Sequence, residues 1–163
     1  PGARPAQATQ ATPAPPPPGP PPPAPAAAWV ETALQMWVEG PAPVTHDFGG
    51  APLCQVPLAL HVRNCARGAS LAFAFEALET GRIGKCGYTL IGTTKVAEEW
   101  LPPDGHVRLP LHAVVRDAGT FLVDALRVTL VAWKRGEKDD EQRPAAPILC
   151  PPPAGRVVKV VRK

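Results

Sequence analysis

Apolar and polar residues alternate with a period of two over much of the chain from Trp29 onward, the spacing that lines one face of a pleated strand. The most regular run is residues 53–63, where Cys54, Val56, Leu58, Leu60 and Val62 share one face and Gln55, Ala59, His61 and Arg63 share the other. Pro57 falls on the second face and marks an edge position or a bulge, because proline cannot donate to a ladder. Residues 71–78 place Leu71, Phe73, Phe75 and Ala77 on one side and small Ala72 and Ala74 on the other. In residues 29–39, Val30, Thr32, Leu34, Met36 and Val38 alternate with Glu31, Ala33, Gln35, Trp37 and Glu39. A helical stripe through Val30, Ala33, Leu34, Trp37 and Val38 is also open there, and the neighbouring segments favour the strand. Gly40-Pro41-Ala42-Pro43 ends the element.

Further along, residues 88–91 and 93–96 read as one short strand broken at Gly92. Pro102-Pro103-Asp104-Gly105 is a turn, with proline fixing φ and Asp-Gly accepting the tight bend. Val107, Leu109, Leu111, Ala113 and Val115 alternate with polar neighbours, and Asp117-Ala118-Gly119 reads as a hairpin-like turn into residues 120–133. The alternation slips near 124–127, which predicts a bulge or a loop between two short strands. Val157, Val158, Val160 and Val161 predict an added strand. Six or seven strands at spacings of roughly 10–15 residues, with turn chemistry between them, predict an all-β fold. The expected architecture is an immunoglobulin- or fibronectin-like antiparallel β-sandwich with a disordered proline-rich N-terminal segment.

Composition sets the boundaries. Of 24 prolines in 163 residues, 12 lie in residues 1–25. Residues 1–28 are read as a disordered Pro/Ala-rich linker, 29–133 as the sandwich domain and 134–163 as a charged, proline-rich tail with one extra strand. Pro15, Pro16, Pro17, Pro18, Pro20, Pro21, Pro22 and Pro23 predict polyproline II. That tract is a candidate ligand for a profilin, SH3 or WW domain, or a plain spacer. No apolar run reaches the ~18–20 residues of a helical membrane span. A start at Pro1 rather than Met is what a fragment of a longer product presents, and the first 25 residues have no signal-peptide pattern. Cys54, Cys65, Cys86 and Cys150 are sparse, which predicts free thiols in a reducing, cytosolic setting.

The net charge is +3, and the last eight residues alone carry Arg156, Lys159, Arg162 and Lys163, so the rest of the chain is at −1. A near-neutral body lacks the footprint of a phosphate binder, so nucleic acid is not an expected partner. Gly81-Arg82-Ile83-Gly84-Lys85-Cys86 has two residues between its glycines, where a phosphate loop needs four and a hydroxyl after the lysine. It reads as a flexible loop. The cysteines are spaced 11, 21 and 64 positions apart, and His46, His61, His106 and His112 are scattered, so no zinc pattern is present. Cys54 reads as a small buried hydrophobe. His46-Asp47-Phe48 reads as a turn leading into a strand, with Asp47 accepting backbone donors and Phe48 anchoring the loop. Ser70 is the sole serine and lies in no nucleophile elbow. No catalytic residue, metal site or cofactor is expected. Of Trp29, Trp37, Trp100 and Trp133, one is expected in the core. Trp100 with Leu101 and Pro102 is a candidate interface, since tryptophan beside a proline turn is an interface composition, or else a loop anchor.

Residues 33–65 carry His46-Asp47-Phe48, Pro52-Leu53-Cys54, Val56-Pro57-Leu58 and Val62-Arg63-Asn64-Cys65. This stretch resembles the C-terminal β-sandwich region of subunit 8 of the transport protein particle (TRAPP) complexes. Ile91-Gly92-Thr93-Thr94, Leu109-Pro110-Leu111 and Gly119-Thr120-Phe121 are similar to later segments of that region, with Ile91 where the family has Trp and Phe121 where Tyr is common. The resemblance spans about residues 30–133. It implies a non-catalytic module in a vesicle-tethering complex of ER–Golgi traffic and autophagy. Its partners would be other subunits and, indirectly, a Rab-type GTPase. Its location would be cytoplasmic, peripheral at Golgi, ER–Golgi or autophagic membranes. The alternative is a proline-rich adaptor that recruits profilin, SH3 or WW domains, with the sandwich as scaffold.

Overall fold

A computed structural model describes residues 32–78, 87–136, 140–151 and 155–163. The polyproline tract, Trp29 and the loop containing Gly81–Cys86 lie outside the described residues. The strands are β1 (Leu34–Glu39), β2 (Val44–His46), β3 (Cys54–Asn64), β4 (Ala69–Ala77), β5 (Tyr88–Gly92) and β6 (Lys95–Leu101), then β7 (His106–Val115), β8 (Gly119–Val123), β9 (Leu126–Arg135), β10 (Ile148–Leu149) and β11 (Arg156–Arg162). One sheet runs β1-β3-β7-β5 and a second runs β10-β9-β4-β6. These are the two layers of an immunoglobulin-like sandwich. A third sheet, β2-β11-β8, lies beside them. Its β11–β2 pairing is parallel, while the other strand pairings are antiparallel.

The core follows the period-two pattern. Val56, Leu60 and Val62 of β3 meet Leu71, Phe73 and Phe75 of β4, with Leu111 and Val115 of β7 and Val128 and Leu130 of β9 completing the filling. Burying each such side chain contributes about 1.5–3 kcal/mol before the entropy of ordering it. Phe73 and Phe75 are the largest fully buried side chains, and among the described residues no tryptophan is buried. The expectation of a core tryptophan is therefore corrected for Trp37, Trp100 and Trp133. Phenylalanine fills an inter-sheet space without an N–H that needs a partner, and Trp133 packs against the core edge with its indole N–H donated to Gln142.

Two connections differ from the sequence reading, and a third follows it. Tyr88–Gly92 and Lys95–Leu101 are not one broken strand: β5 joins β7 in the first sheet and β6 joins β4 in the second. Gly92 makes the crossing at φ +101, where an added Cβ would lie 3.0 Å from the Pro110 carbonyl oxygen. Asp117-Ala118-Gly119 does not close a hairpin. The chain leaves β7 and β8 pairs with β11 instead. The slip at 124–127 is, as its broken alternation predicts, a loop between two strands, β8 and β9, and there the chain moves from the third sheet to the second. The tail reading also changes. β9 continues past Trp133 to Arg135, and residues 134–163 hold two further strands, with Val158 and Val160 buried in the core cluster.

Pro57 sits in a central strand, yet the register of β1 on β3 stops at Ala59. At Pro57 the β1 side of the strand is therefore open, which accommodates a residue with no N–H. At the 102–105 turn, Gly105 N–H donates to the Pro102 carbonyl at 2.8 Å and Asp104 takes the positive φ of 60, the pattern of a type II turn with proline in second place.

Candidate functional site

The outward face of the first sheet carries the densest side-chain network among the histidines. Strand register builds it. Trp37 of β1 stands opposite His61 of β3, which stands opposite Arg108 of β7. One row away, Arg63 stands opposite His106, and on the other side Glu39 stands opposite Ala59. Alternation sends all of these side chains to the same surface. His61 is 7% exposed, although it lies on the outer face.

His61 is held at both ring nitrogens. Its Nε2 lies 2.6 Å from Glu39 Oε2 and its Nδ1 lies 2.9 Å from His106 Nε2. An ionised carboxylate accepts only, so His61 Nε2 carries a hydrogen and donates it. Neutral His61 then presents a bare Nδ1, and His106 Nε2–H donates to it. The two imidazoles are within 5° of one plane with centroids 5.1 Å apart. That separation matches an edge-to-edge hydrogen bond rather than a face-to-face stack. The Trp37 indole is parallel to both rings, with centroids at 4.8 and 5.4 Å. Arg108 Nε approaches the same Glu39 oxygen at 3.9 Å, and Arg63 reaches Asp104 at 4.0 Å.

Along the sequence His61 and His106 are scattered. They are 45 positions apart and only the β3–β7 register joins them. The available signal was that His61, Trp37 and Glu39 all occupy the polar face of alternating segments. His106 lies just before the run read as a strand. Among the described residues no three His, Cys, Asp or Glu side chains form a group that could hold a metal ion.

The candidate interface trio is divided by the structure. Leu101 is 4% exposed and belongs to the core. Trp100 is half-buried on β6, donates its indole N–H to Glu98 at 3.0 Å and lies 5.3 Å from the Lys134 ammonium. Pro102 is exposed, and its carbonyl accepts from Asn64. At the other turn, Asp47 accepts the Gly49 N–H at 2.9 Å, His46 Nε2 bonds the Ala51 carbonyl, and Phe48 packs edge-on against His46. Cys54 and Cys150 are buried, and loss of solvation pushes both thiols up from their ordinary values. For Cys150 burial outweighs an opposing hydrogen bond from the Leu130 backbone. Cys65 is exposed.

No family model and no curated protein matches the chain. Similar solved structures include the CARDB domain of the PF1109 protein from Pyrococcus furiosus, determined in complex with di-metal ions, at 13% identity, TM-score 0.35, and 78% of this chain against 87% of that one. Another is a FixG-related protein from Vibrio parahaemolyticus at 10% identity, TM-score 0.33, covering 72% of this chain and 96% of that chain.

Proposed function

We propose that this chain is a non-catalytic assembly domain that binds other protein subunits, and that it serves a vesicle-tethering complex of the TRAPP type. The observation that carries the binding role is an apolar cross-strand pair turned to solvent on the third sheet. Leu122 of β8 stands opposite Val157 of β11, and they are 51% and 53% exposed. Val161 continues the outward row of β11. Two exposed aliphatic side chains at one cross-strand position gain from being covered by a partner. The tethering role rests on the sequence resemblance across residues 30–133. It implies a cytoplasmic position at Golgi or autophagic membranes, with the Rab-type GTPase engaged through other subunits. Among the described residues no helix is long and apolar enough to cross a membrane.

The test is co-purification with named tethering subunits, scored by immunoblot. The full chain and a chain lacking residues 1–28 should capture them equally. The double variant Leu122→Lys, Val157→Glu should capture at least tenfold less, while its unfolding midpoint stays near wild type because exposed substitutions change stability by about 0.5 kcal/mol or less. Equal capture by the double variant overturns the role of this surface. Loss of capture on removing residues 1–28 alone favours the adaptor reading, in which the tract containing Pro15–Pro18 and Pro20–Pro23 recruits a profilin, SH3 or WW domain.

A further inference from the structure

We propose that Glu39, His61 and His106 form a proton-operated latch on the outer face of the β1-β3-β7 sheet, closed while the two imidazoles share at most one extra proton and opened by a second. With both rings neutral, Glu39 accepts from His61 Nε2–H, and His61 Nδ1 accepts from His106 Nε2–H. One added proton does not break this chain. It can sit on His106 Nδ1, which points away from the bond. Alternatively it sits on His61 Nδ1, which then donates while His106 accepts as its other tautomer. A second proton leaves no acceptor: His61 Nδ1 and His106 Nε2 would both carry hydrogens across 2.9 Å. Two like charges would also face each other at 5.1 Å between ring centres.

The surroundings decide which partner yields. Glu39 of β1 neutralises the His61 end and is shared with Arg108 of β7, 3.9 Å away. Arg63 of β3 stands opposite His106 and is offset by Asp104 in the following turn. His61 is therefore retained by a carboxylate, whereas His106 has cationic neighbours and an exposed position. His106 is the first residue of β7, so its side chain can swing into water without disturbing the ladder. Trp37 then loses one of the two rings it lies parallel to, and the covered edge of His61 opens.

The test is nitrogen-15 NMR of the histidine rings in the full chain from pH 8 to pH 5, with His46 and His112 as references. At pH 8 the His61 proton should reside on Nε2. The pair should then take up its two protons as coupled steps rather than independently. The Trp37 indole resonance should move with the second step. His106→Ala removes an exposed side chain, leaves the sheet intact, and should collapse the His61 titration to a single step. The proposal is overturned if His61 and His106 follow independent one-proton curves that His106→Ala leaves unchanged. It is equally overturned if the pH 8 proton of His61 resides on Nδ1.

Discussion

Asn64 offers the sharpest test of how the sandwich end is held. Its side chain is fully buried, and the two hydrogens of its Nδ2 are shared among the carbonyls of Ala69, Leu101 and Pro102 at 2.8, 3.1 and 2.9 Å. Its Oδ1 accepts the Ala66 N–H at 2.8 Å. One side chain therefore ties the end of β3 to the start of β4 and to the end of β6. Asn64→Leu keeps the volume and removes all four bonds. The Ala69 and Leu101 carbonyls belong to buried residues, while that of exposed Pro102 can turn to water. Two stranded carbonyls at about 1–3 kcal/mol each give an expected loss of about 2–6 kcal/mol, a large share of the stability of a small domain. Asn64→Asp keeps the shape but points an acceptor at three acceptors, so it should lose at least as much at pH 7. That carboxyl would favour its protonated form in the folded chain more than in the unfolded chain. The deficit relative to wild type should therefore shrink as pH falls into the carboxylate range and grow as pH rises through it. Urea unfolding followed by tryptophan fluorescence reads the midpoint, with an unchanged slope confirming the same transition. A loss below about 1 kcal/mol in both variants refutes the reasoning, because it would mean that the three carbonyls do not depend on this amide.

Other substitutions probe separate features. Phe73→Ala empties the centre of the inter-sheet layer and should cost about 3–5 kcal/mol, read as a lowered thermal midpoint. Gly87→Ala places a Cβ 2.7 Å from the Phe121 ring at φ +71. It should cost about 1–3 kcal/mol in urea unfolding, and Phe121→Leu in the same chain should recover part of that loss. In a Cys86→Ser background, a thiol reagent at pH 8 should label Cys65 first, with Cys54 and Cys150 labelled only in denaturant. Burial holds those two as thiols and shields them. Mass spectrometry of the labelled peptides gives the order.

The strand faces were legible because one-sided burial writes itself into a period of two. Leu71, Phe73 and Phe75 point inward as their alternation requires, as do Val56, Leu60 and Val62. Turn chemistry at Pro102–Gly105 and at Asp47 was likewise local, and it was readable for that reason. What alternation cannot convey is which strand lies beside which. Gly92 and Asp117–Gly119 look like ordinary bends, and both carry the chain from one sheet to another. The same blindness hid the latch. His61 and His106 meet only through the β3–β7 register, and Trp37 through the β1–β3 register. Leu101 was read by its neighbours Trp100 and Pro102, whereas its inward direction on β6 places it in the core.

The parallel contact between β11 and β2 has a consequence for biosynthesis. Gly40, just before β2, accepts a hydrogen bond from Arg156, 116 positions later. As the polypeptide leaves the ribosome, β2 and β8 must wait for β11 before they gain hydrogen-bonding neighbours in their sheet. During that interval the nascent chain displays strand edges and the cavity that Val158 and Val160 later fill. So long a sequence separation slows closure of this third sheet relative to pairings between strands close in sequence.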